Sequence, residues 1–402
     1  MESRNRWTIA LAGVLMQMAL GAVYAWSVFR TPLARQFGWT VPQVTLTFTI
    51  TIFMLGVSAF PGGLWLSRTD PRRVAVTGGI LYGVGVFLAG FTTSLTWLYL
   101  TYGVIGGIGL GFGYIVPVAV LVKWFPDRRG LITGVAVGGF GAGALVTAPV
   151  ATRLIESVGV LRTFSWLGAV YLVVVPVAGM FMKNPPAGWR PEGWAPAASS
   201  LSAPAVRDAT LGEALRTREW WVLWSILFLN VSAGISLISQ QAPMFQELAG
   251  VSAIVAANMV GVVSIGNAVG RVCWAWLSDL ATRKVTFIAI FAVQAGLFWF
   301  LPGVHSATWL TVFAFVILMC YGGGFGTMPA SVADYFGPGN VGPIYGLMLT
   351  AWGFASAFGP LLMAEMREST GSYRGALRII AAVMVASMLL PAMLRVRKGG
   401  AL

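Results

Sequence analysis

The chain alternates between long apolar stretches and short polar ones, and this pattern predicts its architecture. A helix needs about 20 apolar residues to cross the hydrocarbon core of a bilayer, and twelve stretches approach that length. Backbone polar groups find no water inside a bilayer, so each stretch is expected to be an α-helix. The predicted spans are 7–29, 43–66, 74–93, 97–122, 131–152, 163–182, 220–244, 252–277, 285–301, 308–333, 343–364 and 377–394.

The longest polar interval divides these spans into two groups of six. It begins with NPPAGWRPEGWAPAASSLSAPA, which is rich in Pro, Ala and Ser and is typical of a linker without a core. The following DATLGEALRTREW favours a short amphipathic helix, with Asp208 or Thr210 as N-cap and with Leu211 and Leu215 facing lipid. We therefore predict three units, which are an N-terminal bundle (1–183), a cytoplasmic linker (184–218) and a C-terminal bundle (219–402).

The two halves repeat one another. GFGYIVPVAVLVKWFPDRRGLITGVAVGGFGAG (111–143) and GFGTMPASVADYFGPGNVGPIYGLMLTAWGFASAFG (324–359) both contain a glycine-rich helix, an aromatic pair, a polar turn and a second glycine-rich helix. A repeat of six helices is typical of transporters built from two related bundles. The pattern predicts an all-α membrane protein with twelve transmembrane helices in two pseudo-symmetric six-helix bundles.

Composition and charge agree with a membrane protein. Hydrophobic residues make up 57% of the 402 and charged residues 10%, which excludes an ordinary soluble domain. If the N-terminus is cytoplasmic, most of the 26 Lys and Arg residues fall in cytoplasmic segments, as the positive-inside rule requires. The net charge of +13 therefore indicates topology and contact with anionic lipid rather than nucleic acid. We expect a monomer in the cell (inner) membrane with both termini cytoplasmic.

One charge falls in the middle of an apolar span. Arg271 lies within VVSIGNAVGRVCWAW (262–276), and Asn267 precedes it by four residues on the same helical face. A cation at this depth costs about 2.5–3.5 kcal/mol on insertion scales and should meet an anion. We interpret the pair as part of a carboxylate site. The alternative is an arginine satisfied by backbone carbonyls or by an acid on another helix.

Several motifs resemble one known family. SDLATRK (278–284) is similar to the loop signature of the major facilitator superfamily, an Asp followed by paired bases. WFPDRRGLITGVAVGGFGAG (124–143) resembles the fifth-helix signature of its monocarboxylate porter and oxalate/formate exchanger branch. GAVYAWSVF (21–29) resembles the first-helix signature of that branch without its leading acid, and Arg271 matches the branch's eighth-helix arginine.

This resemblance implies a set of cavity residues. It places Tyr114, Phe140, Asn267, Arg271, Tyr321 and Phe325 at substrate-binding positions, and more weakly Tyr24 and Trp352. Tyr114 and Tyr321 are favoured because a phenol buried near a cation needs a partner, which a carboxylate oxygen supplies. The alternative for each aromatic residue is simple packing.

The loop signatures predict gating residues. Asp279 and Arg283 lie four residues apart at a helix end, where they can cap a neighbouring helix and pair across the bundle interface. Asp70 and Arg128 are the predicted gating residues of the first half, where Ser67 occupies the place of the acid and weakens the contact. Ordinary solvated loops are the alternative.

The substrate follows from the number of cations. The oxalate exchangers hold a second carboxylate with a lysine on the eleventh helix, whereas YGLMLTAWGFASAFG (345–359) contains Trp352 and no cation. One buried cation suits one carboxylate, as in lactate, pyruvate or a short aliphatic acid. The resemblance favours symport with a proton, and obligatory exchange remains the alternative.

Other classes of function fit the residues less well. The chain has no phosphate-binding P-loop, so no nucleotide cofactor is expected. Its single histidine, His305, falls in a short predicted outer loop, so neither a metal site nor a hydrolytic centre is expected. A membrane-embedded enzyme, channel or receptor is the remaining alternative.

Overall fold

A computed structural model of the protein describes residues 6–125, 129–186, 191, 209–336 and 341–394. Twelve helices within these ranges are long and apolar enough to cross a membrane, which confirms the predicted number. Their bounds are α1 Arg6–Phe37, α2 Val41–Leu66, α3 Pro71–Ala89, α4 Leu95–Leu121, α5 Gly134–Val158, α6 Val160–Gly179, α7 Arg218–Ala249, α8 Ala253–Ser278, α9 Arg283–Gly303, α10 Ala307–Phe336, α11 Pro343–Thr370 and α12 Arg374–Ala392.

Four helices run well beyond their predicted ends. α1 continues to Phe37, α5 to Val158, α7 to Ala249 and α11 to Thr370. Arg30, Arg153 and Arg367 therefore lie inside helices and not in loops as expected. Hydropathy ends a span at its first polar residues. Two of these polar residues pair with side chains on another helix, as Arg30 does with Gln240 and Arg367 with Glu247.

The helices of each half pack mainly against one another. α3 packs on α4 and α6 in the first half, and α8 on α10 and α9 on α12 in the second. The two halves meet along two antiparallel pairs, α2 with α11 and α5 with α8. In the first pair, Thr49 Oγ1 donates to the Ser356 carbonyl and Ser356 Oγ to the Thr49 carbonyl, each at 2.9 Å.

The bundle has two distinguishable faces. At the first, which we call the terminal face, Arg218 Nη2 donates to the Met393 carbonyl and Lys284 Nζ to the Ala392 carbonyl, so the end of α12 lies beside the starts of α7 and α9. The opposite face carries the end of α1 and the start of α2. Helix termini at each face leave backbone groups that such side chains satisfy.

The predicted short helix after the linker is present at Leu211–Leu215. Thr210, one of the two predicted N-cap residues, caps this helix and forms a capping box with Glu213. The other predicted residue, Asp208, lies outside the described residues. Leu211 and Leu215 are partly buried against the protein core, and contact of their exposed parts with lipid stays a prediction.

Glycines allow α8 and α10 to touch. Gly266 and Gly270 on α8 face Phe315 and Met319 on α10, and a Cβ at either glycine would overlap the backbone of α10. Paired small residues at four-residue spacing permit such close packing in membranes. The contact holds the face that bears Asn267 and Arg271 against α10.

Candidate functional site

Arg271 lies at the centre of the bundle, completely buried. Its Nε donates to Asn267 Oδ1 at 3.4 Å, and its Nη1 lies 3.5 Å from the Tyr114 hydroxyl of α4. The guanidinium carbon lies 4.8 Å from the centre of the Phe325 ring on α10, within cation–π range. These three contacts orient the plane of the guanidinium group.

No contact of Arg271 in the described ranges supplies a negative charge. Asn267, Tyr114 and Phe325 are all neutral, so the partner acid of the alternative interpretation is not found among the described residues. Arg271 Nη2 and Asn267 Nδ2 are buried N–H donors that find no hydrogen-bond partner among the described residues. A buried donor left unpaired costs about 1–3 kcal/mol, and more when it is charged, so the site favours a ligand that accepts hydrogen bonds.

Aromatic rings surround the guanidinium group. The Trp352 ring packs edge-on against the rings of Tyr114, Phe140 and Phe325, with centroids 4.8–5.6 Å apart. Its indole Nε1 is a further buried donor, and no residue in the described ranges accepts a hydrogen bond from it. These aromatic rings therefore form a mainly apolar lining that also offers one N–H donor, as small-molecule sites commonly do.

Two tyrosines complete the cluster and join the halves. The hydroxyls of Tyr24 on α1 and Tyr321 on α10 are 2.6 Å apart, in hydrogen-bond contact. The Tyr24 ring also packs edge-on against Phe140, and Tyr321 against Phe325. Both phenols are at most 2% exposed, so the cluster is closed from solvent in this conformation.

The structure thus brings all eight predicted substrate-binding residues into one continuous cluster. The first half contributes three of them from α1, α4 and α5, and the second half contributes five from α8, α10 and α11. A site shared between two halves changes shape when the halves move relative to one another. The cluster consists of Tyr24, Tyr114, Phe140, Asn267, Arg271, Tyr321, Phe325 and Trp352.

Two buried amides behind the cluster are not among the residues predicted from the sequence. Gln17 Nε2 donates to the Tyr114 carbonyl at 3.0 Å, and Asn230 Nδ2 donates to the Tyr321 carbonyl at 3.2 Å. They tie α1 to α4 and α7 to α10. A polar amide in the middle of an apolar span was the available signal, since such residues bond across membrane helices.

The two predicted gating residues whose side chains are described, Arg283 and Asp70, lie at helix ends and not in the central cluster. Arg283 Nε donates to Asp334 of α10 at 2.9 Å, and its Nη1 contacts Ser278 Oγ, so Arg283 ties α9 to α8 and α10 within the second half. Asp70 caps α3 by accepting from the Arg72 amide at 2.9 Å. The side chain of Asp279 and all of Arg128 lie outside the described residues, so pairing across the bundle stays a prediction for both.

The charge and the donors of this cluster suit an anion. It offers a permanent cation and several N–H and O–H donors in an apolar wall. In the described part of the chain, no three His, Cys, Asp or Glu residues lie close enough together to hold a metal ion.

Comparisons with known proteins find relatives over most of the chain. The sequence model of the Major Facilitator Superfamily matches residues 9–360. An uncharacterized MFS-type transporter of Escherichia coli, YhjX, is 32% identical over 88% of this chain and 86% of its own. The oxalate:formate antiporter of Oxalobacter formigenes is 27% identical over 91% of this chain and 86% of its own. Monocarboxylate transporter 13 of Rattus norvegicus is 25% identical over 94% of this chain and 86% of its own.

A solved structure shares the fold. A bacterial homologue of the human lysosomal transporter Spinster, in an inward-facing and unoccupied conformation, matches with a TM-score of 0.70 and 17% identity, covering 98% of this chain and 96% of that chain. The family model spans most of the sequence, and the twelve helices agree with it. The chain therefore belongs to the Major Facilitator Superfamily and is a multi-pass membrane transporter rather than an enzyme.

Proposed function

We propose that this protein carries small monocarboxylates, of the size of lactate or pyruvate, by alternating access. The observation that carries the proposal is Arg271, a completely buried cation with a free Nη2 group and no carboxylate among its described contacts. A carboxylate would accept from Nη2 and from Asn267 Nδ2, which lies on the same helix. Charge-assisted hydrogen bonds of this kind are roughly twice as strong as neutral ones.

A single carboxylate suits the cluster better than two. Arg271 is the one cation among its eight residues, and Trp352 stands where the resemblance to oxalate exchangers expects a lysine. The Trp352 indole supplies a neutral N–H donor, which suits a keto or hydroxyl oxygen. Relatives named for monocarboxylates and for oxalate and formate support a carboxylate substrate.

Substrate binding would control the movement of the halves. Carrying an unpaired buried cation through a conformational change is costly, and an anion on Arg271 neutralises it. The phenol pair of Tyr24 and Tyr321 connects the halves beside Arg271. An anion that recruits the Tyr321 hydroxyl would release Tyr24 and allow the halves to separate.

We propose that a proton accompanies the anion. The combined movement of one anion and one proton transfers no net charge, so the cycle is electroneutral. Asp334 of α10 is half-exposed and paired with Arg283, away from the central cluster, so it is poorly placed to carry this proton. The proton is then carried by the substrate or by a phenol of the cluster.

Obligatory exchange is the second candidate function. It is favoured by the same unpaired Arg271, because a carrier that reorients only when neutralised must return with another anion. Simultaneous records of internal pH and labelled lactate uptake separate the two. Symport acidifies the vesicle with each lactate, whereas exchange depends on preloaded internal acid and leaves the internal pH unchanged.

The proposed orientation places both termini in the cytoplasm of a cell (inner) membrane. The basic residues at the terminal face, including Arg218, Arg283 and Lys284, agree with the positive-inside rule. The terminal face is then cytoplasmic and the opposite face is external.

Counterflow of labelled lactate in proteoliposomes tests the proposal. Unlabelled lactate, pyruvate, acetate, formate or oxalate is loaded inside, and transient accumulation of external label identifies a carrier and its substrates. We expect accumulation with the monocarboxylates and little with oxalate. Conductance without counterflow would identify a channel, and no counterflow with any acid would exclude a carboxylate carrier.

A further inference from the structure

A second buried arginine lies between the two halves at the opposite face. Arg30 of α1 is 6% exposed, and its Nη1 donates to Gln240 Oε1 of α7 at 2.6 Å. Gln240 Nε2 in turn donates to Thr45 Oγ1 of α2 at 3.0 Å. This chain of hydrogen bonds crosses from one half to the other and back, so separating the halves at this face breaks it.

Arg30 also borders a cavity, which we call the outer pocket. The pocket has a volume of about 400 Å³, and its charged lining consists of Arg30, Arg35, Glu247, Arg367 and Glu368. Glu247 and Arg367 neutralise one another in an ion pair at 2.7 Å. Three cations and two anions leave the lining with a net positive charge, which attracts anions.

Arg30 retains bonding capacity toward a ligand. Its Nε is buried and has no hydrogen-bond partner among the described residues, although Nη1 is engaged. Burial of the nearby Tyr373 raises the pKa of its phenol, and the Arg30 cation opposes that rise, so Tyr373 stays a neutral hydroxyl beside the guanidinium group. Nε and an Nη group of one arginine match the two oxygens of a carboxylate.

We propose that the outer pocket is an entry site for the carboxylate substrate, in which the anion binds Arg30 and displaces Gln240. The proposal rests on the proposed function, because the ligand is the same monocarboxylate. The bond to Gln240 has one charged partner, whereas an arginine–carboxylate pair has two charged partners and can form two parallel hydrogen bonds, which makes it stronger. Binding would therefore break the connection between α1 and α7.

The position of Arg30 suits a relay to the centre. Tyr24 of the central cluster precedes Arg30 by six residues on the same helix, which corresponds to about 9 Å along its axis. An anion released by Arg30 thus lies about two helical turns from the phenols that line the Arg271 site. Binding of substrate in the outer pocket is thereby coupled to opening of this face.

Transport kinetics in oriented proteoliposomes test the proposal. Arg30→Gln should raise the KM for external lactate about tenfold with the maximal rate changed less than about twofold, and Arg30→Lys should recover part of the loss. Gln240→Leu is the matched control, because it breaks the same hydrogen bond but leaves the cation. Its external KM should stay unchanged or fall. Equal effects of Arg30→Gln and Gln240→Leu would reduce Arg30 to a structural contact and overturn the proposal.

Binding to the outer pocket can be observed without the central site. Saturation-transfer NMR with lactate on nanodisc-embedded Arg271→Gln should retain a signal that the double change Arg271→Gln, Arg30→Gln abolishes. A wild-type signal that disappears in Arg271→Gln, or one that persists in the double variant, would overturn the entry site and leave the central site standing. The absence of a signal from the wild-type protein would overturn the proposed function itself.

Discussion

The central prediction concerns replacement of Arg271 by lysine or glutamine. Lysine keeps the charge but loses the planar fork and the Nε bond to Asn267 at 3.4 Å. A hydrogen bond to a charged group contributes about 1.5–3 kcal/mol, and about 1.4 kcal/mol corresponds to a factor of ten in affinity. One lost bond in Arg271→Lys should weaken lactate binding roughly 10- to 100-fold.

Arg271→Gln removes the charge as well as the fork. Two lost charge-assisted bonds amount to about 3–6 kcal/mol, or a roughly 100- to 10,000-fold loss of affinity. The stability of the protein should not fall together with this affinity, because the change removes a buried cation that has no acid among its described contacts. A thermal midpoint equal to or above that of the wild-type protein is expected.

Concentration-dependent inhibition of labelled lactate counterflow measures the affinities, and thermal unfolding in detergent measures stability. Arg153→Gln is the matched control, since Arg153 is an exposed arginine at the end of α5. It should leave both readouts unchanged. Uptake by Arg271→Gln at the wild-type rate, or loss of transport together with a large fall in the thermal midpoint, would refute the assignment of Arg271 to the substrate site.

Three further predictions concern specificity, packing and coupling. Oxalate should inhibit lactate counterflow poorly at neutral pH, because Trp352 provides no second cation; inhibition equal to that by pyruvate would contradict this. Gly270→Ala should destabilise the protein by about 1–3 kcal/mol in thermal unfolding, because its Cβ would overlap the α10 backbone, whereas Gly296→Ala on open surface should be neutral or slightly stabilising. Lactate uptake should accelerate with an inward proton gradient and respond little to membrane potential alone, and uptake indifferent to the gradient would favour exchange.

The hydropathy pattern predicted the number of helices but misjudged where several end. α1, α7 and α11 continue through polar residues that a sliding hydrophobic window assigns to loops. Arg30 illustrates the reason. Its charge is stabilised by Gln240, which lies 210 positions further along the chain, and no local pattern contains that contact.

The sequence by itself determined that this chain spans a membrane twelve times and that Arg271 is out of place in an apolar helix. Both follow from the transfer of side chains from water into lipid, a property of each residue alone. The resemblance to a known branch then selected the aromatic positions. Their convergence, with Tyr24 and Tyr321 in contact across 297 positions, was decided by tertiary structure.

Only the folded chain shows which polar groups remain without partners. Nη2 of Arg271, Nε1 of Trp352 and Nε of Arg30 are ordinary donors in the sequence. In the fold they are unsatisfied, because burial removes them from water and no described residue supplies an acceptor. Hydrogen-bond satisfaction depends on what surrounds a group in three dimensions. The sequence therefore identifies Arg271 as a buried cation, and the tertiary structure determines which of its N–H groups remain available to an anion.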